Sequence, residues 1–321
     1  MKSTLAIALV AVIAYGAIFA TSAFAQNYPD RPVRVLVGLA PGGGTDSVAR
    51  LMTQKLADSL GQSFVVDNRP GASGSVAGEM AARAAPDGHT LIIVTPTHVI
   101  NPSLYRTVLY DAIKDFAGIG QIVHAQYYLS VANTVGAASV KELIALAKSR
   151  TPRLSYASSG IGSANHLSGE LFKTMAGIEM THIPYKGGAP ALSALISGEV
   201  QVSFTSGVIL PHAKAGRLKT VAVTGTKRTP LAPDIPTIGE AGVPGYEVVG
   251  WYGMAAPAKT PKAIIDRLNS TMSRALPELR ERYGALGMDL AGGSPGDFDA
   301  LLRSERDKWA RVVKVSGAKV E

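Results

Sequence analysis

The chain has no cysteine among its 321 residues, which excludes disulfides, thiolate catalysis and thiolate-bound metals. Aromatic residues make up 6% and charged residues 17%, and the net charge of +8 is scattered along the chain. No basic stripe interleaved with aromatics appears, so nucleic acid is excluded as a partner. The histidines lie in separate stretches without metal-ligand spacing, and no His-Glu-x-x-His occurs, so neither a metal nor a cofactor is expected. The phosphate-binding Gly-x-x-x-x-Gly-Lys-Ser/Thr and the dinucleotide-binding Gly-x-Gly-x-x-Gly are both missing. After the first 25 residues no run is long and apolar enough to cross a bilayer.

What is present begins with residues 1–25, which read as a secretory signal. Lys2 precedes an apolar stretch from Leu5 to Ala20, and Ala23-Phe24-Ala25 offers a small-residue cleavage site before Gln26. The processed chain is expected to work outside the cytoplasm, held together by its core alone.

Strand-like and helix-like stretches alternate along the rest, which implies an α/β fold with helices covering parallel sheets. At about 300 residues two lobes are expected, because single cores stop growing near that size. One series of elements runs from Pro32 through strands near 63–66 and 90–95. The third strand is expected to end in a polar turn carrying Thr97, His98 and Asn101, followed by a break over 101–120. A second series begins in the apolar run 121–131 and continues to Thr224. The C-terminal stretches read as helices without strands of their own, packing back on the first series. The expected division is lobe 1 at 26–125 plus 248–321 and lobe 2 at 126–247, with two crossings between them.

Two loops carry the chemistry. In Pro41-Gly-Gly-Gly-Thr-Asp46 a buried strand passes into a helix expected over 47–60, with Thr45 or Asp46 as cap. Glycines let a ligand approach the main chain, and the first amides of the helix, with its dipole behind them, favour a carboxylate or phosphate. Read alone, this loop fits an anion cradle and a plain glycine-rich turn equally. The stretch Tyr156-Ala-Ser-Ser-Gly-Ile-Gly-Ser-Ala-Asn-His166 repeats the arrangement in the second series, with Ser163 as the expected cap. Ligands gather at the carboxyl ends of strands in open α/β sheets, so the two loops are expected to face one cleft and to hold a carboxylate between them.

Eight short motifs in order carry a family resemblance: Tyr28-Pro-Asp-Arg-Pro-Val-Arg34, Pro41 to Asp46, Asn68-Arg-Pro-Gly-Ala72, Pro86-Asp-Gly-His-Thr-Leu91, Gly160 to His166, His182-Ile-Pro-Tyr-Lys-Gly187, Pro233-Asp-Ile-Pro-Thr237 and Trp251-Tyr-Gly253. Together they resemble the Bug-type receptors of tripartite tricarboxylate transporters. The resemblance implies a type II periplasmic-binding-protein-like fold whose two α/β lobes close on a small organic carboxylate and deliver it to membrane permease subunits. It points to Gly43, Gly44 and Thr45 in one lobe and to Ser158, Ser159, Gly162, Ser163 and His166 in the other. Thr97 and Asn101 are added from the turn after the third strand. The protein is expected to act as a monomer.

Thr205 stands where relatives often carry an aspartate that would suit a ligand ammonium group. Amino acids are therefore less expected than mono- or dicarboxylates, aliphatic or aromatic. Tyr127, Tyr128 and Trp251 are candidate aromatic walls, and Lys186 a candidate second anchor. The competing reading is a secreted serine-dependent acyl hydrolase built on Ser163 and His166. Against it, the chain has no Gly-x-Ser-x-Gly elbow and no evident acid to complete a triad.

Overall fold

The computed structural model describes residues 28–104 and 108–316. The secretory-signal reading of residues 1–25 lies outside the described residues. Eleven strands among them form two sheets.

The first sheet has the order β11-β4-β10-β3-β1-β2. Strands β1 (Val33–Val37), β2 (Phe64–Asn68) and β3 (Thr90–Val94) run parallel, while β4 (Phe116–Gln126), β10 (Val249–Pro257) and β11 (Met288–Gly292) join antiparallel. Val33, Val35, Leu36 and Val37 are completely buried, as a strand covered on both faces requires. Helix α1 (Gly44–Leu60) buries Val48, Ala49, Met52 and Leu56, the i, i+4, i+8 stripe of an amphipathic helix, against this sheet. Two further helices, α2 (Ser75–Ala82) and α3 (Pro96–Leu104), complete the first series.

The second sheet has the order β7-β6-β8-β5-β9, built from β5 (Tyr128–Ala132), β6 (Ser155–Ser158), β7 (Thr181–Pro184), β8 (Val202–Thr205) and β9 (Leu218–Val223). Its helices include α4 (Val140–Ser149), α5 (Ala164–Ala176), α6 (Gly188–Ser197) and α7 (Leu210–Lys214). The fold is the two-lobed type II periplasmic-binding-protein architecture.

The chain passes between the sheets twice. Tyr127 alone separates β4 from β5, and residues 224–248 connect β9 back to β10. The crossings are tied together: the Tyr127 amide donates to Thr224 Oγ1 at 2.8 Å, and the Thr224 amide donates to the Tyr127 carbonyl at 2.9 Å.

Several local expectations change. The apolar run 121–131 is two strands in different sheets rather than one, because Tyr127 redirects the chain. The supposed turn after β3 is helix α3, so Thr97, His98 and Asn101 lie on its first turns, and β4 begins at Phe116 inside the stretch expected to be irregular. Helix α1 begins at Gly44, with Gly43 as its cap and no side-chain cap bond; the Asp46 carboxylate is engaged elsewhere. The C-terminal region contains β11 between α8 (Lys262–Ala275), α9 (Arg280–Ala285) and α10 (Pro295–Ser316). Its pairing with β4, a long-range contact, supplies what its short sequence pattern lacked. Helix α10 packs on α3 and β4 and also reaches α5.

Candidate functional site

A narrow cavity, partly open to solvent, lies where the carboxyl ends of β3 and β8 meet the crossing residue Tyr127. Helices α1, α5 and α6 present their N-termini to it, through Gly44 and Thr45, Ala164 and Asn165, and Gly188 respectively, and α3 contributes Thr97 from its second residue. The first amides of an α-helix have no intrahelical partner and carry the positive end of its dipole. Thr95, Ser159, Thr205, Ser206, Tyr127 and Tyr252 add hydroxyls, Leu39 adds an apolar wall, and among the described residues no charged one lines it.

The loop before α1 is braced from behind. Asp46 Oδ2 accepts from the Gly42 amide at 3.0 Å and from Arg50 Nε at 2.9 Å, while Asp46 Oδ1 accepts from Asn68 Nδ2 at 3.0 Å. Burial pushes the Asp46 carboxyl up, but these hydrogen bonds outweigh it and hold the group below its ordinary value. Its charge is thereby neutralised within the loop and does not oppose an anion in the cavity. Gly42 takes φ +82, the left-handed region that favours glycine.

The second loop is held by side chains of its own. Ser163 caps α5, as its sequence position suggests, accepting the His166 amide at 3.2 Å. The Gly162 amide donates to His166 Nδ1 at 3.1 Å. Ser158 Oγ takes the Gly160 amide at 3.1 Å and lies 2.6 Å from His182 Nε2. Ser159 Oγ donates to Asn165 Oδ1 at 2.8 Å, and Asn165 Nδ2 donates to the Phe204 carbonyl. Burial lowers the imidazole of His166 to about 4 and that of His182 to about 3, so both are neutral at ordinary pH.

The sheets meet across this site. The Ala40 amide donates to the Lys186 carbonyl at 3.3 Å, Ser73 Oγ to the Ile161 carbonyl, and the Tyr252 and Ser206 hydroxyls share a hydrogen bond. Burial raises the Tyr252 hydroxyl to about 12, so it is a neutral donor.

Of the residues singled out by sequence, Gly43, Gly44, Thr45, Thr97, Ser159 and Thr205 are brought together around the cavity. Ser158, Gly162, Ser163 and His166 lie behind its wall as the internal fastening of the second loop. Asn101 is fully buried on α3, donating to the Ser73 carbonyl at 3.2 Å and to Ser75 Oγ at 2.8 Å. Tyr127 lines the cavity; Tyr128, Trp251 and Lys186 do not. The sequence reading missed Thr95, Asn165, Gly188, Ser206 and Tyr252. Thr95 and Ser206 could have been found as hydroxyl residues just past strand ends, and Gly188 as the opening of a helix after Gly187. Tyr252 lies inside an antiparallel strand, within the Trp251-Tyr-Gly253 motif, where nothing local marks its side chain as facing a cavity. No histidine lines the cavity, so the serine and histidine proposed for a hydrolase do not face it.

Comparison with known proteins identifies the family. Residues 48–318 match the model of the tripartite tricarboxylate transporter family receptor. Protein BugT of Bordetella pertussis is 31% identical over 326 residues, covering all of both chains. An R. palustris protein solved with adipate superposes with a TM-score of 0.87 at 40% identity, covering 91% of this chain and all of that one. MatC from Rhodopseudomonas palustris, solved with bound malate, gives 0.85 at 34% identity over 89% of this chain and all of its own. Its family match and its full-length relatives place the chain in the tripartite tricarboxylate transporter receptor family, whose members are solute-binding receptors rather than enzymes.

Proposed function

We propose that this chain is the periplasmic receptor that captures a small organic carboxylate by closure of its lobes and delivers it to the permease subunits of a tripartite tricarboxylate-type transporter. The observation that carries the reading is the convergence of three helix N-termini on a cavity that no charged residue lines among those described. Such a site holds an anion through backbone amides and hydroxyls, without the desolvation cost of a buried cation. The adipate and malate in the solved relatives are small carboxylates of the class such a cavity suits. Thr205 presents a hydroxyl hydrogen-bonded to Ser203 at 2.6 Å, where an amino acid ligand would want an acid.

The moving bodies are residues 26–125 with 248–321, and 126–247, turning about Tyr127 and the 224–248 connection. The protein works as a monomer after removal of residues 1–25. Gly43, Gly44, Thr45, Thr97, Ser159 and Thr205 contact the ligand, joined by Asn165, Ser206 and Tyr252, while Asn101, Ser158, Gly162, Ser163 and His166 maintain the walls. A thermal-shift screen against aliphatic and aromatic mono-, di- and tricarboxylates is the test, because a ligand stabilises the folded state by mass action. At least one acid raises the melting temperature, and Thr45→Val and Ser159→Ala weaken that hit. A flat response to every acid overturns the reading.

A further inference from the structure

Beneath the second loop lies a polar cluster that ligand contact alone does not explain. His166 is on the first turn of α5, with a relative exposure of 6%. Its ring stacks on His182 at 4.0 Å between centroids, and His182 in turn stacks on Tyr156 at 4.9 Å. The charged and titratable groups facing it are Glu170 and Lys173 from α5, His182 from β7 and Tyr156 from β6, with Tyr246 beyond Tyr156. Glu170 is satisfied without the imidazole: it takes Lys173 Nζ on both oxygens, at 3.0 and 2.9 Å, and the Tyr156 hydroxyl at 2.5 Å. His166 Nε2 is 4.0 Å from it.

The other ring nitrogen has a specific task. Nδ1 accepts the Gly162 amide at 3.1 Å, in a turn where Gly160 (φ +135) and Gly162 (φ +79) both occupy left-handed backbone. Glycine reaches that conformation without a Cβ clash but is the most freely moving residue, so local bonds are what hold the turn in one shape. The turn sets Ser159 and the first residues of α5, Ala164 and Asn165, against the cavity.

We propose that His166 is a positioning residue for ligand capture: the unprotonated Nδ1 of its imidazole fastens the Gly162 amide and thereby aims the free amides of α5, beside Ser159, at the ligand carboxylate. A side chain of the same volume without an acceptor leaves the Gly162 amide unpaired and the turn free to move. Burial keeps the imidazole neutral, with its pKa lowered to about 4, so the acceptor persists through ordinary pH. The inference rests on the receptor reading for its ligand, and its test separates the two.

Two substitutions divide acceptor from volume. His166→Asn places an amide oxygen at the same distance from the backbone as Nδ1 but gives up ring stacking. His166→Phe keeps the ring on His182 but removes the acceptor. Calorimetric titration with adipate and with malate reads affinity, and amide hydrogen exchange reads Gly162. H166N stays within about threefold of the wild-type affinity although it loses thermal stability, whereas H166F loses about tenfold, as expected for one buried hydrogen bond, with faster exchange at Gly162. Wild-type affinity in H166F, or equal loss in both variants, overturns the assignment. So does ¹⁵N imidazole NMR of the unliganded protein if it finds Nδ1 protonated at pH 7. If neither acid binds the wild-type protein, the receptor reading fails for these acids, and Gly162 exchange in the two variants still decides the role of His166.

Discussion

Gly44 opens α1 at the centre of the seam between the lobes, and a methyl there separates local stability from ligand capture. A Cβ built on Gly44 would lie 2.7 Å from Ser206 Oγ, 2.9 Å from Tyr252 Oη and 3.4 Å from Met288 Cε. It would wedge into the Tyr252–Ser206 hydrogen bond that crosses the cleft. Gly44 has an ordinary helical position outside the left-handed region, where alanine gains about 0.5–1 kcal/mol, but the Tyr252 and Met288 contacts lie within its own lobe and offset that gain in the open form as well. The closed form, by contrast, loses about 0.5–1.5 kcal/mol for the displaced hydrogen bond and about 1–3 kcal/mol for overpacking. Gly44→Ala is therefore expected to change the melting temperature of the unliganded protein little while weakening carboxylate binding by about ten- to two-thousandfold. Differential scanning calorimetry and isothermal titration read the two effects on one sample. Unchanged or tighter binding in the variant would refute the closed-cleft geometry on which this reasoning stands.

Three further outcomes test other parts of the molecule. A methyl on Gly207 would overlap the backbone of Leu286 and Gly287 on the facing lobe, so Gly207→Ala keeps the lobes apart. Small-angle scattering should then find no contraction on adding a ligand that contracts the wild type, and normal contraction counts against the lobe division. Glu305 Oε2 accepts the indole N–H of both Trp251 and Trp309 at 2.9 Å. Glu305→Ala strands two buried donors and costs about 2–6 kcal/mol, whereas Glu305→Gln keeps an acceptor and costs far less; equal urea midpoints for the two variants would show the clasp to be unimportant. Burial lowers His98 to about 4, below the ordinary histidine value. The unfolded chain therefore binds a proton near pH 6.5 that the folded chain refuses, and stability is complete above pH 6.5 and lost as pH falls toward 4. His98 alone accounts for about 3 kcal/mol of that loss. Urea unfolding at pH 7 and pH 5 should show a smaller acid loss in His98→Gln than in the wild type, and the same loss in both refutes the assignment.

How much was legible in the sequence differs from residue to residue. The first cradle was readable because it is local: a buried parallel strand, three glycines and a helix are contiguous from Val33 to Leu60. Ser163 was readable as a cap for the same reason. Helix α3 was hidden because Pro96 and Pro102 bracket a stretch rich in turn-forming residues, and only packing against α10 and β4 makes its helical conformation pay. Strand β11 is five residues long and is defined by its partner β4, far away in the chain. His166 was legible as a residue of the site region, yet its direction was not: the ring turns back to Gly162 and His182 because those groups lie behind the loop.

By itself, then, the sequence determined the alternation of strands and helices, the two anion-receptive helix starts and the family, since each is written in contiguous residues whose backbone preferences and periodicity are local. Tertiary structure alone decided which residues surround the ligand. Tyr252, Ser206, Thr95 and Gly188 reach one cavity only when two sheets meet across the Tyr127 and Thr224 crossings. Ser158, Gly162, Ser163 and His166 fall behind its wall because a turn so rich in glycine needs their hydrogen bonds to keep its shape.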